Sequence, residues 1–392
     1  MGKASRVAII GAGIGGLAAA ASLRRLGLEA RVYERSGGLG EVGAGLQLGP
    51  NAMKVLRAIG IEDQVLQQAF EPTNFVSLKW DDASLRFRDP LKPAAIERYG
   101  ARYATTHRAD LHRLLQSLVP ESWIRLGAQC TGVGTNGDSA YANFADGNQI
   151  EADVIIGADG IRSAVRESLF GADAPRFTQQ ICWRAMIPIE KVPSHVGPGG
   201  SVALGRGEYH GWLGPQGHVI CYPIRGGSVL NIFAGRVSED WVAESWTLPS
   251  SRADLIAAYA GWNDALLDMF SNVDECFKWG IYDRDPLASW TRGRVTLLGD
   301  AAHPMMPTLA QGAAITLEDS YTIARHLANS NADWGAAVQA YENERRPRAA
   351  GVQLQARTQF DNNRKNPPPP PLDRDWIFKF DASENRDAVA PV

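Results

Sequence analysis

The sequence predicts an α/β fold in which a Rossmann-like nucleotide-binding domain is interrupted by a β-rich domain and completed by C-terminal helices. Residues 6–34 show a strand–helix–strand pattern with a glycine-rich turn after the first strand. Residues 177–283 carry mainly strand patterns, with helical periodicity near 252–270. Long helical patterns follow at 311–327 and 334–355. Alternating strands and helices on both sides of a β-rich stretch indicate an α/β domain with a second domain inserted into it.

The composition is that of a globular protein. The chain has 392 residues, of which 45% are apolar and 21% are charged, which argues against wholesale disorder. Its 40 basic and 43 acidic side chains leave a net charge of −3, which argues against a nucleic-acid-binding domain. No apolar run has the length of a transmembrane helix, and the N-terminal run is too short for a signal peptide. The cysteines lack a CxxC spacing, so no metal site is expected. We therefore expect a cytoplasmic protein that binds neither nucleic acid nor membrane.

Local apolar patterns predict the other elements of the α/β part. They indicate buried strands around a first helix, two further helices, and then short strands joined by turns. In chain order these are a strand at 6–10, a helix at 17–26, a strand at 28–33, a helix that begins after Pro50-Asn51, a helix at 109–118 and short strands over 123–156. A later strand at 295–298 runs directly into Gly299-Asp300.

These patterns divide the chain discontinuously. The nucleotide-binding domain is assigned to 1–74, 103–176 and 284–355, the β-rich substrate domain to 75–102 and 177–283, and a C-terminal tail to 356–392. The five prolines of the tail, 367–371, predict a polyproline II stretch. We interpret it as a stiff connector to a packed segment with Trp376, Phe378 and Phe380, and a docking ligand for a partner is the alternative.

A glycine-rich turn carries the strongest local signal. Gly11-Ala-Gly13-Ile-Gly15-Gly16 follows a strand and opens a helix. Gly11 allows a tight turn, Gly13 lets the backbone approach a pyrophosphate, and Gly16 permits close packing of helix against strand. The helix N-terminus offers unpaired N–H groups to phosphates, and Glu34, at the end of the next strand, can accept hydrogen bonds from ribose hydroxyls. The candidate contacts with a dinucleotide are Gly11, Gly13, Ile14, Gly15, Gly16, Glu34 and Arg35.

A second glycine pattern, Gly132-Val-Gly134-Thr-Asn-Gly137, has the same spacing. No helical run follows it, and Asn136-Gly137 is typical of a hairpin turn. The sequence therefore predicts one dinucleotide-binding domain and not two.

Two later motifs distinguish between NAD and FAD. They are Gly157-Ala-Asp159-Gly-Ile-Arg-Ser-Ala-Val-Arg166 and Gly299-Asp300-Ala-Ala-His303-Pro304, and further matching stretches run through 43–51, 107–111 and 304–312. At these residues the chain resembles the group A flavoprotein aromatic hydroxylases, in the branch of salicylate hydroxylase and 6-hydroxynicotinate 3-monooxygenase. The resemblance covers about residues 5–355.

This resemblance implies the fold of para-hydroxybenzoate hydroxylase and a specific chemistry. Non-covalently bound FAD would be reduced by NADH or NADPH and react with O2 to form a flavin C4a-hydroperoxide. That species would hydroxylate a phenolic or hydroxypyridine carboxylate, with decarboxylation left open. The pyridine nucleotide would dock transiently, and a homodimer is plausible for this family. The further cofactor contacts implied by the resemblance are Gln47, Arg108, Asp159, Asp300, Pro307, Gln311 and Gly312.

Strand periodicity places two candidate catalytic groups together. His218, Ile220 and Tyr222 share one face of a strand, because side chains alternate with a period of two. In the resembling hydroxylases a His/Tyr pair at this spacing deprotonates the phenol of the substrate. A histidine near its usual pKa of about 6.5 suits a base at neutral pH. The alternative is a half-exposed strand with merely hydrogen-bonded side chains, and Tyr209 and His210 are weaker candidates.

Candidates for binding a substrate carboxylate are arginines of the β-rich part, because a guanidinium matches a carboxylate. Arg184, Arg206 and Arg225 fit equally well, and Pro304 is a further candidate contact. We expect His303 to orient the loop before Pro304 and not to act in catalysis.

Three other functions are weighed against hydroxylation. Halogenases with the same glycine turn carry Trp-x-Trp-x-Ile-Pro, and Ala185 stands here where the second Trp belongs. Another flavin oxidoreductase would not explain the Asp-Gly motif together with His218 and Tyr222. A flavoprotein that serves as redox sensor or interaction protein stays open, with the proline tract as its partner-binding element.

Overall fold

The first strand of the chain lies inside a mainly parallel sheet. The computed structural model describes residues 7–40, 43–238, 249–363, 365 and 369–384. Within them the strands are, in chain order, β1 (Val7–Ile10), β2 (Ala30–Tyr33), β3 (Gly45–Leu48), β4 (Asn74–Lys79), β5 (Leu85–Pro90), β6 (Ala104–His107), β7 (Ile124–Arg125), β8 (Cys130–Asn136), β9 (Ser139–Phe144), β10 (Gln149–Ala152), β11 (Val154–Gly157), β12 (Arg176–Pro188), β13 (His195–Val196), β14 (Val202–Ala203), β15 (Tyr209–Gly214), β16 (Gly217–Ile224), β17 (Val229–Val237), β18 (Pro249–Ser250), β19 (Cys276–Asp283), β20 (Thr291–Arg292) and β21 (Val295–Leu297).

The helices range from single turns to one helix of 30 residues. Within the same described residues they are α1 (Ile14–Arg25), α2 (Pro50–Ala58), α3 (Glu62–Gln68), α4 (Ala94–Tyr99), α5 (Arg108–Ser117), α6 (Ala164–Phe170), α7 (Arg252–Ala258), α8 (Asp264–Ser271), α9 (Gly312–Ala328), α10 (Trp334–Asn363) and α11 (Asp375–Lys379).

The first sheet has the order β20-β21-β11-β1-β2-β7 among the described strands. β1 pairs in parallel with β11 and with β2, and α1 connects β1 to β2, which confirms the predicted strand–helix–strand unit. All four residues of β1 and of β11 are buried, as expected for strands covered on both faces. α1 packs against α5 and α9. The carboxyl ends of β1, β11 and β21 therefore meet at one edge of the sheet.

The second sheet forms a wall beside this edge. Its order is β18-β19-β12-β17-β16-β15-β4-β5 within the described chain, and its pairs are antiparallel except for β15 with β4. One face packs on α7 and α8 through an apolar core that includes Leu255, Tyr259 and Phe270. The other face carries Tyr209, Tyr222 and Phe233 into the main core. The predicted domain division of the chain is compatible with these two sheets and stays a prediction.

The second glycine pattern lies in a hairpin, as predicted. β8 ends at Asn136, β9 begins at Ser139, and the two strands are antiparallel neighbours. Gly137 has a φ of +61°, a conformation that glycine adopts at no steric cost.

A buried charge network joins α9 to α10. Glu318 and Asp319 on α9 have no solvent exposure. Arg345 on α10 is equally buried, with Nη2 2.7 Å from Oε2 of Glu318 and Nε 2.8 Å from Oδ1 of Asp319. Arg348 adds a second contact, with Nε 2.7 Å from Oε2 of Glu318. Burial raises the pKa of Glu318, but the charges of Arg348 and Arg345 more than offset this, so its pKa is lowered and it stays ionised.

The C-terminal segment, residues 369–384, is packed as predicted. Residues 369–374 form neither helix nor strand and lead into α11. Ile377 and Phe378 are buried in the main core, and Trp376 and Phe380 pack against it. Pro367 and Pro368 of the predicted polyproline stretch lie outside the described residues, as does Arg6 of the predicted first strand.

The charge network predicts a large effect of removing its central cation. Arg345→Met leaves Glu318 and Asp319 buried without their shared partner, which should cost about 3–5 kcal/mol of unfolding free energy. Urea denaturation followed by circular dichroism measures this loss. Arg57→Met is the control, because Arg57 is half exposed and pairs with Glu62 at the surface; it should cost less than about 1 kcal/mol. Similar losses in both variants would contradict a special role for the network.

Candidate active site

A cavity of about 360 Å³ lies where the edge of the first sheet faces the second sheet. It is lined by the glycine turn, by β3 to β5, by β12 and β15 to β17, by the stretch between β21 and α9, by the end of α10 and by the C-terminal segment. The walls thus come from both sheets and from both ends of the chain.

The glycine turn forms one end of this cavity through close backbone approaches. Gly11 has a φ of +105°, and a Cβ on it would lie 2.4 Å from the carbonyl oxygen of Ala158. A Cβ on Gly16 would lie 1.9 Å from the carbonyl oxygen of Gly11. Gly13, Ile14 and Gly15 line the cavity, and no side chain caps the N-terminus of α1. The turn therefore presents open backbone N–H groups, the arrangement that binds a pyrophosphate.

Glu34 reaches the same turn from the end of β2. Its Oε2 accepts a hydrogen bond of 2.8 Å from the backbone N–H of Ala12, and its Oε1 accepts one of 2.9 Å from Ser36. These bonds hold the carboxylate beside the turn, although Glu34 is not among the described residues that line the cavity. Arg35 is exposed and is not among the described residues that line the cavity.

The stretch after β21 forms the middle of the cavity. Asp300, Pro307 and Gly312 line it, and Gly312 begins α9. Gln311 points elsewhere, since its Oε1 accepts a hydrogen bond of 3.0 Å from Nδ2 of Asn51. Pro304 is buried and is not among the described lining residues. Its carbonyl oxygen accepts a hydrogen bond from Nε2 of Gln353.

His303 is held away from the cavity. Its Nε2 lies 2.5 Å from Oδ2 of Asp319, and the side chain is 1% exposed. His303 ties the loop before Pro304 to the charge network of α9 and α10, as expected for a structural residue.

Asp159 is turned away from the cavity by a helix cap. Its two carboxylate oxygens accept hydrogen bonds from the Ser163 hydroxyl and from the backbone N–H of Val165, at 2.5 and 3.2 Å. Ala158 and Gly160, on either side of it, do line the cavity. Burial raises the pKa of Asp159, and these hydrogen bonds oppose the rise.

The predicted catalytic pair lies on the cavity face of β16. His218 and Tyr222 both line the cavity and are each 5% exposed. Four residues of strand separate their Cα atoms by about 13 Å, so neither side chain reaches the other directly. The His218 ring stacks on Phe233, with centroids 5.5 Å apart. The expectation of a pKa near 6.5 is wrong for this environment, because burial lowers the pKa of His218 to about 4.

Tyr222 lies against β3. A Cβ on Gly45 would be 2.6 Å from its ring. Burial raises the pKa of the Tyr222 phenol, while the charge of Arg184 and a hydrogen bond with Gln47 oppose the rise. Gln47 also accepts a hydrogen bond of 2.5 Å from the Tyr103 hydroxyl. Tyr222 therefore stays protonated and can donate its O–H to a ligand.

Positive charge dominates the cavity walls. Among the described residues the lining contains one carboxylate, Asp300, and four arginines, Arg86, Arg108, Arg184 and Arg374. Arg184 stacks over the ring of Trp279, 4.5 Å from its centroid. This charge excess fits anionic ligands.

Two of the predicted arginine candidates do not reach the cavity. Arg225 is not among its described lining residues; its Nε lies 3.1 Å from Oδ2 of Asp110. Its φ of +52° places it in a turn after β16. Arg206 is exposed and also lies outside the described lining.

Arg86 and Arg374 were not anticipated. A β-bulge between β4 and β5 brings Arg86 to the cavity, and bulges re-aim side chains in a way that periodicity does not predict. Arg374 is the first basic residue after the proline tract. No other feature of the sequence marked it as a candidate site residue.

Comparison with known proteins identifies the family. Residues 4–356 match the family described as FAD binding domain. The chain belongs to the FAD-binding monooxygenase family. Its relatives confirm the aromatic hydroxylase class: it is 38% identical to 3-amino-4-hydroxybenzoate 2-monooxygenase PtmB3 of Streptomyces platensis, over 90% of this chain and 87% of the relative. It is also 38% identical to 6-hydroxynicotinate 3-monooxygenase of Bordetella bronchiseptica, over 96% and 95% of the two chains.

Solved structures confirm the fold predicted for this monooxygenase. Klebsiella pneumoniae HpxO complexed with FAD and uric acid matches with a TM-score of 0.81 and 27% identity, over 91% of this chain and 88% of that chain. A salicylate hydroxylase substrate complex matches with a TM-score of 0.78 and 27% identity, over 96% and 92%. The fold is thus the α/β fold of the flavin-dependent aromatic hydroxylases. In the part of the monooxygenase that the structure describes, no helix has the length and apolarity to cross a bilayer.

The glycine turn predicts how a single methyl group should affect FAD binding. Gly16→Ala places a Cβ against the Gly11 carbonyl and pushes the turn away from α1. Such overpacking costs about 1–3 kcal/mol, which corresponds to an affinity for FAD that is about 5- to 150-fold weaker. Titration of the apoprotein with FAD, followed by flavin fluorescence, measures this. Gly37→Ala is the control, since its Cβ would meet nothing within 4 Å. Unchanged FAD affinity in Gly16→Ala would argue against the glycine turn as the pyrophosphate site.

Proposed function

We propose that this monooxygenase uses NADH or NADPH and O2 to hydroxylate a phenolic or hydroxypyridine ring that bears a carboxylate. The balanced reaction converts the substrate, NAD(P)H, a proton and O2 into the hydroxylated ring, NAD(P)+ and water. The observation that carries the proposal is a cationic cavity with a neutral, buried histidine on the sheet face opposite the glycine turn. Two relatives whose names specify a hydroxybenzoate or a hydroxynicotinate support the substrate class.

FAD fits the part of the cavity that is formed by the glycine turn and by the stretch between β21 and α9. We assign its pyrophosphate to the backbone of Gly11–Gly16, because the close approaches there leave no room for side chains. Its ribose is assigned to Glu34, whose carboxylate is hydrogen-bonded to the same turn. Asp300 and Arg108 are assigned to the ribityl and phosphate region. The ring system of FAD is assigned to Gln47, to Pro307 and to the backbone that precedes Gly312. When bound, FAD supplies the redox chemistry, in which a hydride is taken from the nicotinamide and O2 is activated for transfer.

His218 is assigned as the base that removes the proton from the ring hydroxyl of the substrate. Burial keeps the imidazole neutral at neutral pH, so it can accept a proton without first losing one. The negative charge of the phenolate formed beside it favours the imidazolium and offsets part of the burial cost. The phenolate has more electron density at its ortho and para carbons, where an electrophilic oxygen attacks.

Tyr222 is assigned as a hydrogen-bond donor at the other end of the substrate. Its phenol stays protonated, with Arg184 and Gln47 beside it. Since about 13 Å of strand separates it from His218, the two groups cooperate through a substrate that lies between them, over Ile220. Arg184, stacked on Trp279, contributes positive charge near Tyr222. Arg225 and Pro304, which lie outside the lining, are not assigned a substrate contact.

The reaction and substrate class are tested with a panel of acids. NADH and NADPH oxidation by the flavin-loaded enzyme should accelerate severalfold with at least one member of a panel of hydroxybenzoates and hydroxypyridinecarboxylates. Mass spectrometry should show a product that has gained one oxygen, and a further loss of CO2 would reveal decarboxylation. The amide of each active acid is the control. Acceleration without oxygenated product would identify an effector that uncouples the enzyme, and no acceleration would favour the redox-sensor alternative.

His218→Gln should slow product formation by a factor of about 10² or more, the usual contribution of a general base, while FAD stays bound. In the unsubstituted enzyme, kcat/KM should fall as the pH drops towards 4, because protonation of His218 removes the base, and no decline centred on pH 6.5 should come from this residue. His210→Gln is the matched control, since His210 is buried on β15 outside the described lining. Loss of flavin from His218→Gln would assign His218 a structural role.

A further inference from the structure

The C-terminal segment forms part of the cavity wall. Pro369, Pro371 and Arg374 line the cavity, yet they lie beyond residue 356, where the match to the family ends. The end of α10 beside them also contributes Gln359, Asn362 and Asn363 to the wall. A part of the active site is thus built outside the matched domain.

Two buried cations anchor this segment by its main chain. Nζ of Lys54, on α2, donates to the carbonyl oxygens of Phe378, Lys379 and Phe380 at 3.3, 2.9 and 3.3 Å. Arg348, on α10, donates to the carbonyl oxygens of Trp376 and Ile377 at 3.2 and 2.9 Å. The cations bond five consecutive carbonyls at the end of α11, where the free carbonyls and the helix dipole favour positive charge.

Side-chain contacts fix the start of α11 as well. Oδ1 of Asp375 accepts hydrogen bonds from the Tyr99 hydroxyl and from Arg98, at 2.7 and 2.8 Å. The ring of Phe378 packs edge-on against Tyr99 and Tyr103, with centroids 5.4 and 6.1 Å apart. Arg374 immediately precedes Asp375, so its backbone position is determined by these contacts.

Arg374 and Tyr209 both line the cavity, and Arg374 interacts with the phenols of Tyr209 and Tyr103. Burial raises the pKa of Tyr209 and of Tyr103, and the charge of Arg374 opposes the rise in both. A side-chain hydrogen bond with Arg374 acts on Tyr209 in addition. Tyr209 lines the cavity and stacks on Phe75, with centroids 4.5 Å apart. A cation and a protonated phenol beside an aromatic surface form a donor set that suits a carboxylate on an aromatic ring.

The other lining arginines are placed differently. Arg108 begins α5 at the end of β6, on the side assigned to FAD. Arg184 is stacked on Trp279 and acts on Tyr222. Arg86 is the competing candidate, because its Nη1 is buried without a hydrogen-bond partner in the described structure. Arg86 lies on the edge strand β5, whereas Arg374 shares the cavity lining and a side-chain hydrogen bond with the phenol of Tyr209.

We propose that Arg374 binds the carboxylate of the aromatic substrate and that the C-terminal segment is therefore a specificity-determining wall of the active site. The inference rests on the proposed function, since it requires an acidic substrate. It adds a substrate-binding residue from outside the matched domain.

The test compares acids with their amides on the FAD-loaded enzyme. The probes are salicylate, 3-hydroxybenzoate and 6-hydroxynicotinate, each with its carboxamide, and binding is followed by the absorbance change of the bound flavin. Arg374→Gln should raise the Kd of the bound acid at least tenfold, the usual effect of losing a hydrogen bond to a charged group. The Kd of the amide should change less than twofold, and the Kd of FAD should not change. Arg374→Lys should recover part of the affinity for the acid.

Two matched variants separate the explanations. Arg57→Gln removes a surface contact with Glu62 outside the described cavity lining and should leave the Kd of both probes within twofold. Arg86→Gln tests the competing cation. The assignment of Arg374 is overturned if acid and amide weaken equally, if Arg86→Gln alone loses the acid, or if Arg374→Gln loses FAD. If the unsubstituted enzyme binds none of the acids, or binds acids no better than amides, the proposed substrate class fails and the assignment fails with it.

Discussion

The buried charges of α9 and α10 constrain the rest of this enzyme. Glu318 and Asp319 are adjacent, fully buried and ionised, and such charges are tolerated in a protein interior only when each has its partners. The partners come from distant parts of the chain. Arg345 and Arg348 approach from α10. Asn51 approaches from α2, and its Nδ2 donates a hydrogen bond of 2.6 Å to Oε1 of Glu318.

This one network reaches three walls of the cavity. Through His303 it fixes the loop that follows Asp300. Through Asn51 it reaches Gln311, immediately before α9. Through Arg348 it reaches the C-terminal segment. Since hydrogen-bonded networks of this kind stabilise their members jointly, the wall that we assign to FAD and the wall formed by the C-terminal segment depend on the same set of ions.

Sequence patterns predicted the parts of the site that depend on local structure. The glycine turn, the strand before Asp300 and the shared face of His218 and Tyr222 each follow from spacing within a few residues. The rejection of the second glycine pattern succeeded for the same reason, because hairpin turns are also local. The turn at Arg225 removed a candidate arginine from the cavity, since a positive φ breaks the alternation that periodicity assumes. Arg86 depends on a bulge, Arg374 on anchoring to helices more than twenty residues away, and the pKa of His218 on burial by a whole sheet. None of these three is encoded in neighbouring residues.

The anchoring of the C-terminal segment has a consequence for how enzymes of this kind diversify. Lys54 and Arg348 bond to main-chain oxygens of residues 376–380, which follow residues 369–374 in the chain. These bonds do not involve the side chains of residues 369–374, so those residues can change while the segment keeps its place. Loops held on a rigid scaffold are where new binding properties commonly arise. Evolution can therefore alter substrate preference at this wall and leave the inherited cofactor machinery untouched.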